Sequence, residues 1–278
     1  MLVNGKEILK EFKKNKKAVM HFNINNLEWT KWILEECNRL NVPVILGCSE
    51  SAVKYMGGYD VVYSIVTSLI KDLDIQIDVT LHLDHGHSVE SCTKAIDAGF
   101  TSVMIDASLE EFDQNVLITK EVAKYAHSKN VMVEAEIGIM GQLNNDNVNF
   151  GSTTSVSDVI EFVKQTGVDS IAPAVGTVHG MYKGDLKIDY DLIHEISEKI
   201  DIPLVLHGGS GLSNEILKKC VINGITKINI NSDLQDKWSK DVRKYLANNN
   251  DVIDPRKIIS SGMDIVKSEI DLKLNIND

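Results

Sequence analysis

Short runs of β-branched and aliphatic residues alternate with amphipathic stretches along almost the whole chain. The strand candidates are 18–24, 42–48, 78–84, 102–107, 131–137, 170–176, 203–207 and 226–231. Between them, apolar residues recur at helical spacing over 27–40, 59–73, 88–98, 112–129, 156–166, 189–199, 213–223 and 233–247. Leu27, Ile33, Leu34, Cys37 and Leu40 set the stripe of the first of these. Start signals precede several helices: Ser88 with Ser91, Ser157-Asp158, and Ser213 before Asn214-Glu215. Strands separated by single helices pair in parallel through crossover connections. Eight such units predict an α/β fold closed into a (β/α)8 TIM barrel. A further helix is expected over 256–272 as a C-terminal extension, followed by a polar end that frays. No break in composition divides the chain, so residues 1–278 read as a single domain.

The bulk numbers narrow the function. A chain of 278 residues with 43% hydrophobic content suits one barrel with a large core. The net charge of −11 argues against a nucleic-acid surface. It also means that any phosphate site must be assembled locally, from backbone N–H groups and a few cations. No stretch of about 18 apolar residues exists, so no membrane helix is expected. The opening Met1-Leu2-Val3-Asn4-Gly5-Lys6 lacks a secretory pattern, which points to the cytoplasm. Cys37, Cys48, Cys92 and Cys220 are far apart and read as reduced thiols.

The candidate chemistry gathers at strand ends. His85, His179 and His207 each close a strand candidate, and each is followed by glycine. A lone histidine there is more often a hydrogen-bonding residue; three at equivalent strand ends of a barrel converge on one mouth. Three imidazoles leave one position of a tetrahedral zinc open, and such a zinc polarises a carbonyl as a Lewis acid. His82 would face away from His85 if the strand stayed regular. His87, His127 and His194 read as surface residues. Asp84 sits at a strand tip as a general acid/base, a partner of the metal ligands or a structural anchor. Asp106, Glu134 and Glu136 end neighbouring strands, where they supply a second cation position or brace the first; the two glutamates share parity. Gly208-Gly209-Ser210-Gly211 and Asn229-Ile230-Asn231-Ser232 follow the last two strands and open helices. Barrels often hold phosphate at these two places, on backbone N–H groups and a helix N-terminus. Gly180 adds a donor. The long Asn-, Gly- and Ser-rich segment 138–155 is a candidate lid.

The motifs match a known family. The chain resembles the class II, zinc-dependent ketose-bisphosphate aldolases, in particular the short bacterial fructose-bisphosphate aldolases. The resemblance runs over nearly the whole length, through Phe22-Asn23-Ile24-Asn25-Asn26-Leu27-Glu28, Ser49-Glu50, Leu81-His82-Leu83-Asp84-His85-Gly86 and Val133-Glu134-Ala135-Glu136. It continues in Gly176-Thr177-Val178-His179-Gly180, Leu206-His207-Gly208-Gly209-Ser210-Gly211, Lys227-Ile228-Asn229-Ile230-Asn231 and Asp254-Pro255-Arg256. It implies that His85, His179 and His207 hold catalytic Zn2+. Asp84 would be the acid/base acting on the C4 hydroxyl. Gly180, Gly208, Gly209, Ser210, Asn229, Asn231 and Ser232 would contact dihydroxyacetone phosphate, some of them with a monovalent cation (Na+ or K+). Asn23 and Ser49 would make further substrate contacts, and Asp106 and Glu136 a secondary metal position. Arg256 would reach the far phosphate from a neighbouring subunit, implying a homodimer or tetramer.

One segment departs from the family pattern. After the fifth strand the family reads Glu-Leu-Gly-x-x-Gly-Gly-x-Glu-Asp, and its second glutamate moves a proton on the dihydroxyacetone-phosphate carbon. Asn144 stands at that position here. Asparagine cannot serve as a base, and Asp146 is the candidate replacement. The readings are therefore a fructose 1,6-bisphosphate aldolase first. Behind it stand an aldolase for tagatose bisphosphate or another ketose phosphate, a transaldolase-like exchanger, and a non-catalytic sugar-phosphate binder.

Overall fold

The computed structural model describes residues 1–144, 147–149, 151–180 and 187–277. Among these the strands are β1 (Val19–Asn23), β2 (Val44–Ser49), β3 (Val79–Gly86), β4 (Ser102–Ile105), β5 (Met132–Ile137), β6 (Gly141–Asn144), β7 (Asn147–Asn149), β8 (Ser170–Pro173), β9 (Val178–His179), β10 (Leu204–Leu206) and β11 (Ile225–Ile230). The helices are α1 (Lys6–Lys14), α2 (Leu27–Leu40), α3 (Glu50–Met56), α4 (Tyr59–Asp72), α5 (Val89–Asp97), α6 (Phe112–Ser128), α7 (Val156–Thr166), α8 (Tyr190–Lys199), α9 (Asn214–Ile222), α10 (Ser232–Asn248), α11 (Pro255–Ser260) and α12 (Met263–Leu274).

Eight strands close into a barrel in the order β1-β11-β10-β8-β5-β4-β3-β2, every neighbour parallel. They are the eight the periodicity predicts, and the fold is a (β/α)8 TIM barrel. The main core lies between strands and helices: Leu81, Leu83, Val133, Ala135 and Ile228 pack with Ile33, Ile96, Val122, Phe162 and Leu217. Alternation sends the intervening residues inward, and many of these are polar: His82, Asp84, Glu134, Glu136 and Lys227 are all buried. Side-chain caps set helix starts, each worth about 1 kcal/mol. Asn26 accepts from the Trp29 N–H, and Ser88 and Ser91 form a reciprocal capping box. At α7 the cap is Ser155, which accepts from the Asp158 N–H, rather than Ser157.

Four features differ from expectation. Helix α1 precedes the barrel and closes its base, where Ile8 and Leu9 pack on Val19, Ile45 and Met132. A short helix, α3, follows β2. The segment 138–155 holds a hairpin, β6–β7, whose first strand pairs in parallel with β9. The C-terminal extension is two helices, broken at Ser261-Gly262. Through Asn277 it is tied to the barrel: Ile276 is buried, and the Asn277 amide exchanges two 2.9 Å hydrogen bonds with the Ala18 backbone.

Candidate metal and substrate site

His85, His179 and His207 meet at the mouth of the barrel. Along a regular β3, His82 and Asp84 point inward and His85 outward. His85 instead takes a left-handed conformation (φ 52), and the β3–β4 register shifts between Leu83 and Gly86. The turn carries its imidazole back over the barrel axis, so both His82 and His85 serve the interior. A non-glycine residue there costs about 1–2 kcal/mol, a strain typical of functional positions. His207 follows β10 directly. The residue after it must be glycine: Gly208 has φ 68, and a Cβ there would lie 2.6 Å from the Val178 carbonyl oxygen. His179 comes from β9, outside the barrel, and is held by pairing with β6.

The three ligand nitrogens lie within 4.8 Å of one another. His207 Nδ1 is 3.1 Å from His85 Nε2. Carboxylates occupy the opposite nitrogens, with Asp106 Oδ2 2.7 Å from His85 Nδ1 and Glu134 Oε1 3.2 Å from His207 Nε2. Such partners orient metal-binding imidazoles and select the nitrogen that faces the ion. Burial, then His207 and His85, push His179 down to about 3, which leaves it a neutral donor. Burial also lowers His207, against its bond to Glu134. Burial opposes a charge on His85 too, but Asp84, the bond to Asp106 and Glu136 together lift it to about 9. The acids around the triad thus favour a positive charge at its centre. Three imidazole nitrogens in that setting fit a divalent ion such as zinc. Asp106 is held well below its usual range: burial is outweighed by His85 and by bonds from Ser108. Burial and Asp106 push Glu136 up to about 8. With His85, these two acids form a second possible ligand set.

Asp84 sits beside the triad, 4.0 Å from His85 Nε2. Asn23 Nδ2 donates to it at 2.7 Å and Asn229 Nδ2 at 3.4 Å. Burial would raise its pKa, but the surrounding imidazoles of His21, His85, His207 and His82 hold it well below the usual carboxylate range. It is therefore held as an ionised carboxylate.

Below the triad lies a pair that sequence reasoning missed. Lys227 Nζ donates to both oxygens of Glu134 at 2.8 Å, with both side chains fully buried. Glu134 therefore links Lys227 to His207. The available signal was a lysine at inward parity with Asn229 in a strand whose other face carries Ile228 and Ile230. His82 bonds Ser102 at 2.7 Å and lies 3.5 Å from Lys227. His21 is buried nearby, pushed down to about 3 by burial and Lys227. Gly47 makes room for it, since a Cβ there would lie 1.6 Å from His21 Nε2.

A cavity of about 250 Å³ opens between the triad and the last two strand ends. Among the described residues Asn23, Asp84, His85, His179, Gly180, Gly208, Ser210, Asn229, Asn231 and Ser232 line it, none of them a lysine or arginine. Asn231 precedes α10 without capping it through its side chain. In the first turn of α10 the Leu234 and Gln235 N–H groups return to the Asn231 carbonyl, and a helix N-terminus at a cavity suits an anion. A larger cavity of about 610 Å³ lies on the other side of His85 and His179, lined by Asp106, Ser108, Glu136 and Met140 among others. Ser49, Gly209 and Arg256 do not line the smaller cavity: Ser49 caps α3, Gly209 packs against Ile228, and Arg256 is exposed and paired with Asp254. Asp146 lies outside the described residues. His87 is exposed at the larger cavity, and His127 and His194 are on the surface, as expected.

A TIM barrel with an imidazole triad and an anion-ready pair of loops at its C-terminal mouth belongs to the class of barrel enzymes equipped to hold a metal and a phosphorylated substrate. The model of the family described as fructose-bisphosphate aldolase class-II matches residues 3–277. The fructose-bisphosphate aldolase of Geobacillus stearothermophilus is 48% identical over 270 residues, covering 97% of this chain and 94% of that protein. That of Staphylococcus epidermidis is 46% identical over 274 residues, covering 98% and 96%. Among solved structures, the YdjI aldolase of Escherichia coli K12 aligns with a TM-score of 0.82 at 27% identity, over 98% of this chain and 97% of that one. The chain belongs to the class II fructose-bisphosphate aldolase family, whose members are metal-dependent lyases acting on phosphorylated sugars.

Proposed function

We propose that this chain cleaves fructose 1,6-bisphosphate reversibly to dihydroxyacetone phosphate and glyceraldehyde 3-phosphate, a step of carbohydrate metabolism. The observation that carries this reading is Asp84. It is ionised, clamped by Asn23, adjacent to the imidazole triad, and open to the cavity that the anion loops line. His85, His179 and His207 would hold Zn2+, which would supply Lewis-acid polarisation of the ketose C2 carbonyl. Asp84 accepts the C4 hydroxyl proton as the C3–C4 bond breaks, and the bonding pair stays with the three-carbon phosphate fragment. Asn23 and Asn229 keep the carboxylate aimed while it changes charge. The amides around Gly180, Gly208, Gly209, Ser210, Asn231 and Ser232 hold the phosphate remote from the breaking bond, and oxygen atoms of the same loops would hold a monovalent cation. That remote binding orients the reacting carbons. Asp106 and Glu136 provide a secondary metal position, and Ser49 a further substrate contact.

Asp146, in its protonated form, supplies the proton that C3 takes up, in place of the family glutamate whose position Asn144 occupies, while the C4 hydroxyl proton leaves Asp84 to solvent. Asp146→Ala should then abolish exchange of the dihydroxyacetone-phosphate C3 proton with solvent while zinc and phosphate binding persist. Exchange at the wild-type rate would remove Asp146 from the mechanism and favour a transaldolase-like reaction. Arg256 reaches the far phosphate of a partner subunit in a homodimer or tetramer. Residues 1–278 act as one domain, in the cytoplasm. No helix among the described residues is long and apolar enough to cross a membrane. The deciding experiment is to assay the purified enzyme on fructose 1,6-bisphosphate and on tagatose 1,6-bisphosphate, with and without chelator. Chelator-sensitive cleavage of the first is expected. Faster cleavage of the second would change the substrate, and binding without cleavage of either would leave a sugar-phosphate binder.

A further inference from the structure

The loops that follow β10 and β11 are tied to each other and to the C-terminal helix α12. Ser210 Oγ accepts from the Asn231 N–H at 2.9 Å and, more loosely, from the Asp233 N–H at 3.5 Å. In return, Asp233 Oδ1 accepts from the Gly211 N–H at 2.9 Å. The other oxygen of Asp233 lies 2.7 Å from Lys273 Nζ, and Lys273 also donates to the Leu212 carbonyl at 3.1 Å. Both charged side chains are buried. Lys273 is therefore ion-paired with the carboxylate that braces the loops, with Glu269 further off at 3.9 Å, and hydrogen-bonded to the backbone of one of the loops. Neither residue lines the cavity, which lies just in front at Gly208, Ser210, Asn231 and Ser232.

We propose that Lys273 is a positioning residue for the phosphate-binding loops, acting through Asp233, and so sets the affinity for the phosphate end of the substrate. This rests on the reading of the 250 Å³ cavity as the phosphate site. Two physical effects act in the same direction. Among the described residues no lysine or arginine lines the cavity, and the amide groups that do line it take their aim from the braces behind them. Asp233 is also a buried carboxylate one residue beyond Ser232. Left unpaired, it would repel the dianion; paired with Lys273, its charge is cancelled at close range. The C-terminal extension is thus part of the binding apparatus.

The test uses the full-length, zinc-loaded enzyme and the variants Lys273→Met, Lys273→Arg and Lys273→Met with Asp233→Asn. Zinc content is measured, dihydroxyacetone phosphate is titrated by calorimetry, and kcat and KM are determined. Lys273→Met should weaken dihydroxyacetone-phosphate binding and raise KM by about tenfold or more, as expected when one partner of a buried charge pair is removed. Its zinc content should be unchanged and its kcat within about threefold. Lys273→Arg should recover most of the affinity. The double variant should bind better than Lys273→Met, because the uncancelled carboxylate is gone, yet more weakly than wild type, because the brace is gone. Wild-type affinity in Lys273→Met would overturn the proposal, as would parallel loss of zinc, kcat and affinity, the mark of general loosening. If Lys273→Met does not fold, the double variant decides, and wild-type affinity there sinks the idea. A wild-type enzyme that holds zinc but does not bind dihydroxyacetone phosphate would remove the phosphate reading of the cavity itself, and this inference with it.

Discussion

The two halves of the barrel mouth are built by different means. Around His85, His179 and His207, ionisable side chains face inward and other ionisable side chains brace them: Asp106 behind His85, and Glu134 with Lys227 behind His207. Around Gly208, Ser210, Asn231 and Ser232 the lining is amide, hydroxyl and backbone, and the charges stand one layer back, at Asp233 and Lys273. On the function proposed above, the difference follows from the two guests. A divalent cation needs lone pairs on nitrogens whose tautomer is fixed in advance. A phosphate in a chain of net charge −11 is met by N–H groups that do not titrate and do not need a counter-charge of their own. The first half should therefore be sensitive to isosteric changes that alter one proton or one lone pair, and the second to changes in backbone placement.

The largest test of that contrast is His179→Ala. It should lose bound metal by elemental analysis and all measurable cleavage, with dihydroxyacetone-phosphate binding reduced less than metal binding. Full zinc occupancy in this variant would break the assignment of the triad. Next, Asp84→Ala should keep its metal and lose kcat by roughly 10²–10⁴-fold, as for a positioned acid/base. Metal loss instead would move Asp84 into a structural role.

Smaller in its effect on activity is Glu134→Gln, isosteric and one layer from the ion. Metal affinity, read by competition with a chelator, should fall by roughly 10–100-fold. The change also leaves the Lys227 ammonium buried without its anion, so denaturant unfolding should show a loss of about 3–5 kcal/mol. Unchanged affinity and stability would mean that the braces behind the triad are passive. The smallest intrinsic effect is expected at Arg256→Ala. Its exposed guanidinium bonds only Asp254 within the described residues, so stability should change by no more than about 0.5 kcal/mol. Mixing this variant with Asp84→Ala subunits should restore part of the cleavage activity if Arg256 serves the neighbouring subunit. A mixture no more active than its components would argue that each site is complete within one chain.

Much of the scaffold was legible because its signals are local. Each barrel strand is a short apolar run bounded by turn residues, and each intervening helix carries its own stripe. Helix α1 escaped because nine residues with only Ile8, Leu9 and Phe12 as apolar anchors show little more than one turn of periodicity. The break at Ser261-Gly262 was overlooked because the apolar spacing continues on both sides of it. The tail looked polar, yet Asn277 is tied to Ala18, a partner 259 residues away that no window could contain. Within the site, Asp84, the three histidines and the two anion loops were legible as residue types at strand ends. The inward turn of His85 was not, because alternation predicts the opposite face and only the left-handed backbone at that residue reverses it.

By itself, then, the sequence determined the period of the elements, their parallel order, and the chemistry available at each strand tip: imidazoles before glycine, a carboxylate beside one of them, and glycine-rich turns into the last helices. Tertiary structure alone decided which of these groups meet and in what state. It set His207 against His85 across 122 residues, Lys227 against Glu134 across 93, and Lys273 behind Asp233. The physical reason is that local patterns encode faces and turns. The distance between two strand tips in a closed barrel is the sum of every register around the ring. The charge each group carries there depends on burial and neighbours that exist only once the ring has closed.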